Sequence, residues 1–388
     1  MPFFQDSLAV LAVLGLNVAL SEWLSRLPLG RSLGTAFLAI LVTALTANLG
    51  LIPAAAPPTP VYEGIFTYVA PLAIFYLMLG VNLGSLRRAG LPMLALFLLG
   101  TVGTLVGVAA AMALVSGKQS IGPLFYALGG MFTGTYIGGS INFNAVALHY
   151  GVSQQGTLFA AATAADNIIS ALWIAATIAI PQALNRFFPR KKRVAPTRTR
   201  TGTVETNDTA TLDPLGTGLL MALGFGAIYG SGKLAALLPG VPPVLVLTTL
   251  ALVLAQVPAV HRLRGANLLG LLCVYLFLAV VGAHCDVRAL LADGQLAITL
   301  LLLVTALVGI HALITFGVGA LLRQDWDLVG IASQANIGGA ASAMACARSL
   351  RRPDLELPAI LVGTLGNATG TYWGLLVAEW MKASGWFG

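Results

Sequence analysis

Long apolar runs, interrupted by short polar turns with Gly and Pro, fill most of the 388-residue chain. A helix needs about 20 apolar residues to cross the hydrocarbon layer of a bilayer. Twelve segments approach that length: near 6 to 25, 31 to 52, 64 to 84, 90 to 115, 122 to 150, 155 to 183, 214 to 238, 242 to 260, 265 to 283, 295 to 321, 326 to 350 and 356 to 381. The pattern predicts an all-α polytopic membrane protein. Between the sixth and seventh segments, RFFPRKKRVAPTRTRTGTVETNDTATLDP is rich in charge, Thr and Pro and poor in anything that packs. It predicts a flexible basic linker, 186–213, between a first repeat, 1–185, and a second, 214–388.

Composition sharpens this picture. The chain is 57% hydrophobic and 9% charged, against roughly 25% charged in a soluble protein, with a mean hydropathy of +0.88. A soluble fold has too little interior to hide so many apolar residues, so ordinary soluble enzymes, disordered scaffolds and collagen-like fibres are excluded. The net charge of +7 does not argue for nucleic acid, because excess Lys and Arg in a membrane protein collects in cytoplasmic loops. Cys273, Cys285 and Cys346 are far apart and lack metal-ligand spacing, so no disulfide or metal centre is expected. The N-terminus has no basic leader region, carries Asp6, and reads as a retained first helix.

The two halves echo each other. GTYIGGSINFNAVA from Gly134 and SQANIGGAASAMACA from Ser333 place Ile137, Gly138 and Gly139 opposite Ile337, Gly338 and Gly339, an offset of 200 residues. At the same offset Asp166 and Asn167 face Gly366 and Asn367, and FYLMLGVN from Phe75 lies near VYLFLAVVG from Val274. If all twelve segments cross the bilayer, Lys and Arg divide with little bias between its sides. If each IGG segment instead enters and leaves on one face, 17 of the Lys and Arg residues share a side, leaving only Lys118, Lys233, Arg288 and Lys382 opposite. The positive-inside rule favours the second arrangement. It gives five crossings plus one re-entrant hairpin per half, a second half inverted relative to the first, and both termini outside the cytoplasm.

A re-entrant tip must leave helical geometry inside the membrane, which is tolerated where the backbone is buried in protein or lines a wet cavity. Glycine pairs suit such tips, because they permit positive φ and close approach. Half-helices ending there offer N–H or C=O groups to an anion or a cation. The candidate solute-binding residues are therefore Thr135, Tyr136, Gly138, Gly139, Ser140 and Asn142 in one tip and Gln334, Asn336, Gly338 and Gly339 in the other. Asp166 lies deep in an apolar segment, where a carboxylate is costly and faces a cavity, partner or ion by default. With the carbonyl oxygens of Asn167 and Asn367 it could complete a sodium site, or it could carry a proton. His311 reads as an interhelical donor or a proton relay. The pairs Gly80/Gly84, Gly103/Gly107, Gly226/Gly230 and Gly370/Gly374 have the small-xxx-small spacing of helix contacts. No Walker loop, nucleophile elbow or HExxH appears, so no enzymatic chemistry or tightly held cofactor is expected.

YIGGSINFNAVA with ATAADNIISALW, and SQANIGGAASAMACA with ILVGTLGNATGTYWGLL, resemble the YjcL-like family of bacterial membrane proteins, domain-of-unknown-function family 819, over nearly the whole chain. That family is distantly similar to the sodium:glutamate and 2-hydroxycarboxylate symporters, whose paired Gly-Gly loops belong to a mobile transport domain. The resemblance implies an elevator-type secondary transporter of the bacterial inner membrane, commonly a homodimer. This chain has Ile-Gly-Gly-Ser and Ile-Gly-Gly-Ala where those symporters carry a fuller GGxG, so their substrates do not carry over. The expected activity is sodium- or proton-coupled movement of a small organic solute, an anion or amino-acid-like molecule. The alternatives are a cation:proton antiporter without organic substrate and a membrane assembly or regulatory protein.

Overall fold

The computed structural model describes residues 2–54, 59–190, 213–261, 263–285 and 294–385. Most of the expected linker, 191–212, lies outside them. Every regular element among the described residues is helical. The longer helices are α1 Ser7–Ser25, α2 Pro28–Asn48, α3 Pro60–Met78, α4 Leu91–Leu114, α5 Phe125–Gly138, α6 Ser140–His149 and α7 Gly156–Phe187. In the second half they are α8 Pro214–Leu237, α9 Pro243–Ala255, α10 Ala266–Ala283, α11 Gly294–Leu321, α12 Trp326–Ser349 and α13 Pro353–Ala383. The order matches between halves, with α5 and α6 together standing where α12 stands.

Seven of these helices are long and apolar enough to cross a membrane: α1, α3, α4, α7, α8, α10 and α11. Two others are shorter than the sequence pattern suggests. Gly34 leaves helical geometry (φ 75°, ψ 152°), so the apolar part of α2 is Gly34–Asn48. α9 has 13 residues, about 20 Å at 1.5 Å per residue, because Pro242 and Pro243 open it and Pro258 follows closely. α13 is long enough, with 31 residues, but its middle carries Gly, Thr and Asn in place of Leu. That is the composition of a helix that faces protein.

The chain folds into two compact units, each drawing on both sequence halves: Met1–Gly80, Ala147–Ile168 and Asp208–Leu301 form the first, and Val81–Val146, Ile169–Asn207 and Leu302–Gly388 the second. In the first, α10 packs against α2, where Gly282 lies on the Ile40 backbone, and against α3, where Gly270 meets Leu77. Asn17 on α1 donates to the hydroxyls of Thr43 (3.2 Å) and Thr46 (2.9 Å) on α2, and Tyr76 donates to the Leu220 carbonyl on α8.

The second unit has a core of Met93, Leu96 and Phe97 from α4, Ile331 and Ala335 from α12, and Val362 from α13. Its helices approach over rows of glycine. On α13, Gly366 lies against the Ile137 carbonyl and Gly374 against the Gly130 carbonyl of α5, while Gly370 faces Asn142 and the Gly134 carbonyl. On α4, Gly103 faces the His311 backbone and Gly107 the Leu307 carbonyl of α11. The expected helix contacts at Gly103/Gly107 and Gly370/Gly374 are thus present. Gly226 and Gly230 differ: among the described residues nothing comes within 4 Å of a Cβ placed there, and Gly224 packs against Leu72 and Tyr76. Gly80 and Gly84 meet only local atoms, the Leu77 carbonyl and the Asn82 side chain.

Candidate functional site

Both IGG motifs fall in the second unit, and both break their helices at the last glycine. Gly139 has φ 86° and ψ 175°, and Gly339 φ 75° and ψ −171°. This region is essentially restricted to Gly and costs other residues about 1–3 kcal/mol. At each break the chain doubles back. A Cβ at Gly130 would fall 3.2 Å from a methyl of Val146, one at Gly134 would fall 3.1 Å from the Asn142 Cβ, and the rings of Phe132 and Phe143 are 5.9 Å apart. In α12 an ion pair brings the two ends together. A straight helix of its 24 residues would measure about 36 Å, yet Asp325 before it and Arg352 after it pair at 2.7 Å.

The two breaks meet one side chain. Asn367, midway along α13, holds its Oδ1 3.5 Å from where a Cβ at Gly139 would stand and 3.9 Å from the same point at Gly339. The amide of Asn367 is half-buried and makes no hydrogen bond with a described residue. Around it Ser140 is exposed, and Gly139, Gly338 and Ser342 are half-buried. α6 and the second arm of α12 begin at this point, where a helix start presents N–H groups, that of Asn142 being bonded to the Gly139 carbonyl at 3.1 Å. α5 and the first arm end there and supply carbonyls. All side chains named here are uncharged.

A relay of hydrogen bonds pins each glycine carbonyl. At the first tip the Thr371 hydroxyl donates to Asn142 Oδ1 (2.7 Å), and Asn142 Nδ2 reaches the Gly139 carbonyl at 3.5 Å. At the second, Thr177 on α7 donates to Gln334 Oε1 (2.9 Å), Gln334 Nε2 to Ser342 Oγ (3.0 Å), and Ser342 to the Gly339 carbonyl (3.1 Å). Asn142 and Gln334 are fully buried. They fix the backbone at the tips.

The remaining candidates separate by burial. Thr135 is buried and its carbonyl accepts from the Gly139 N–H, Tyr136 is fully enclosed, and Gly138 packs on the Gly366 backbone. Asn336 is fully engaged: Nδ2 donates to the Phe97 and Ala332 carbonyls, and Oδ1 accepts from Thr101. Open tip groups are therefore Gly139, Ser140, Gly338, Ser342 and Asn367. Asp166 and Asn167 are half-buried on α7, where Asp166 is the eleventh of 32 residues, and they belong to the first unit. Asn367 belongs to the second.

The base of α12 carries an assembly the sequence reading passed over. Arg352 is buried and pairs with Asp325 (2.7 Å), Asp327 (3.2 Å) and Asp354 (2.9 Å), and Asn185 of α7 donates to Asp327. Burial opposes the Arg352 charge, but hydrogen bonds and attraction from Asp354 and Asp325 outweigh it and hold the guanidinium above its ordinary range. A raised folded pKa stabilises below the ordinary value and fades only as pH rises through the raised one, so the clamp has no alkaline weakness from Arg352 in the working range. The signal in the sequence was DWD at a helix start and RRPD after its end. Nearby Arg190 lies 4.9 Å over the Trp326 ring.

These features define a multi-pass helical membrane protein whose second unit carries paired glycine-broken helices. The chain belongs to the family described as Protein of unknown function (DUF819), which matches residues 9–384. It is 29% identical over 369 residues to a protein of Bacillus subtilis (strain 168) named "Uncharacterized membrane protein YjcL", covering 90% of each chain.

Proposed function

We propose that this chain is a secondary active transporter that moves a small organic solute with sodium ions or protons, and that the solute binds where Gly139 and Gly339 flank Asn367. The observation that carries this reading is the convergence of two unwound glycines, 200 residues apart, on one amide that has no hydrogen-bond partner among the described residues. Unwound backbone at membrane depth is tolerated where it lines a cavity, and transporters place their sites at such paired breaks. With no cationic side chain among the open tip groups, an anionic solute would be held by the N–H groups opening α6 and the second arm of α12. Asp166, with Asn167, is the group we assign to coupling. Its carboxylate could hold sodium or a proton.

In the membrane we place α5–α6 and α12 as re-entrant hairpins within inverted repeats, α12 entering from the cytoplasmic face. The meeting of Asp325 with Arg352 supports this, since both ends of α12 must then lie on one side. The charge tally favours the cytoplasm for that side and the outside for both termini. An elevator-type cycle in the bacterial inner membrane, with the second unit carrying the solute, fits a chain that folds as two units. For a homodimer the face is α8, where Gly218, Gly226 and Gly230, in line with exposed Ala222, have no described residue within 4 Å of their Cβ positions.

The test is uptake into proteoliposomes under an imposed sodium or pH gradient, with a panel of labelled amino acids and carboxylates. Gradient-driven uptake of a panel member supports the reading. Cation exchange with no solute requirement assigns the antiporter, and neither activity assigns an assembly role.

A further inference from the structure

His311 on α11 is fully buried in the second unit, and its ring is the meeting point of several elements. The glycine row of α4 lets that helix close over it: a Cβ at Gly100 would stand 3.1 Å from the ring Cε1, and one at Gly103 3.3 Å from the His311 backbone. Nδ1 lies 3.1 Å from Thr104 Oγ1 and Nε2 2.9 Å from Ser333 Oγ. The Trp173 ring of α7 stands edge-on at 6.2 Å. None of these contacting groups is charged.

The hydroxyl of Thr104 donates its one proton to the Tyr136 carbonyl at 3.0 Å. It can therefore only accept from His311, which requires a proton on Nδ1. In the neutral ring Nε2 then carries the lone pair and accepts from the Ser333 hydroxyl. The result is a directed chain, Ser333 O–H to His311 Nε2, His311 Nδ1–H to Thr104 Oγ1, Thr104 O–H to the Tyr136 carbonyl. A second proton on the ring would turn the Ser333 hydroxyl away and bury a charge with no counter-ion among its contacts, which is costly.

We propose that His311, as the neutral Nδ1–H tautomer, is a positioning residue that holds the two glycine tips in register. It ties the Tyr136 peptide, three residues before Gly139, to Ser333, six residues before Gly339. Its importance for transport rests on the tips being the solute site, but the tie itself does not, and it assigns His311 no coupling proton.

Hydrogen exchange on the purified full chain in micelles tests the tie without any solute, so it separates this proposal from the transport reading. His311→Ala should speed exchange in both 134–144 and 333–344, by about tenfold for the loss of one buried hydrogen bond at each. His311→Asn keeps a donor near Nδ1 and should loosen only 333–344, whereas His311→Gln keeps an acceptor near Nε2 and should loosen only 134–144. If His311→Ala does not fold, Thr104→Val and Ser333→Ala should each loosen one tip alone. Unchanged exchange, or an equal rise across the whole second unit in the Asn and Gln variants, would overturn the proposal. So would loosening of the wild-type tips, beyond the intrinsic rate change, between about pH 8 and about pH 6, where an unperturbed His titrates.

Discussion

The two broken helices of the second unit share a backbone solution and differ in how they are held. Gly139 and Gly339 take nearly the same conformation and face the same amide. The first hairpin, α5–α6, is pinned to α13 through close glycine contacts, and its relay ends in a long 3.5 Å bond to the Gly139 carbonyl. The second has a longer relay with every bond at 3.1 Å or less, and an ionic clamp closes its base. Similar tips on unequal supports mean the first tip has the softer restraint. Small displacements at the site should therefore begin at Gly139.

Breaking the clamp should have the largest effect. Arg352→Ala removes the cation that the buried carboxylates of Asp325 and Asp327 share and should cost about 3–5 kcal/mol, read as a large fall in thermal unfolding temperature in micelles. Arg348→Ala, which removes an exposed pair with Glu356, should cost under about 1 kcal/mol. Equal effects would remove the distinction between an ionic base and a packed one.

The glycine breaks come next. Gly139→Ala and Gly339→Ala should each cost about 1–3 kcal/mol. The cause is conformational, because a Cβ at Gly139 meets nothing closer than 3.5 Å. Gly138→Ala differs in kind, since its methyl would collide with the Gly366 backbone, and D-alanine introduced by ligation should rescue position 139 alone. Failure of that rescue would show that space, not φ, selects glycine there.

The smallest effect separates the relays. Thr177→Val should cost about 1–2 kcal/mol by leaving Gln334 Oε1 unsatisfied, with faster exchange at 339–343. Thr371→Val should cost less at the tip, because the bond it supports at Gly139 is already long. A reversed order would make the first hairpin the firmer of the two.

Much of this was legible in the sequence. The apolar runs located the helices, and the 200-residue offset narrowed each break to a glycine pair, of which the second member proved to be the one that leaves helical geometry. Polar residue type did not reveal direction, however. Asn142, Gln334 and Asn336 looked like solute ligands, yet each spends its amide on buried backbone and hydroxyl partners, which only tertiary packing defines. Their partners Thr101, Thr177 and Thr371 are ordinary within apolar helices, where Thr commonly bonds its own preceding turn. Asp325 and Arg352 stand 27 residues apart, and their pairing follows from the fold-back at Gly339. The Gly226/Gly230 spacing suggested a helix contact, but no described residue comes within 4 Å of a Cβ at either.

The most direct test of the central claim is gradient-driven uptake by proteoliposomes holding the wild type, Asn367→Ala or Gly139→Ala, with unfolding temperatures measured alongside. The account predicts uptake of at least one amino acid or carboxylate by the wild type. It also predicts loss in both variants, with Asn367→Ala unfolding at the wild-type temperature because its amide has no hydrogen bond to lose among the described residues. Uptake by the wild type that both folded variants retain in full, or no uptake of any panel member by the wild type, would contradict it.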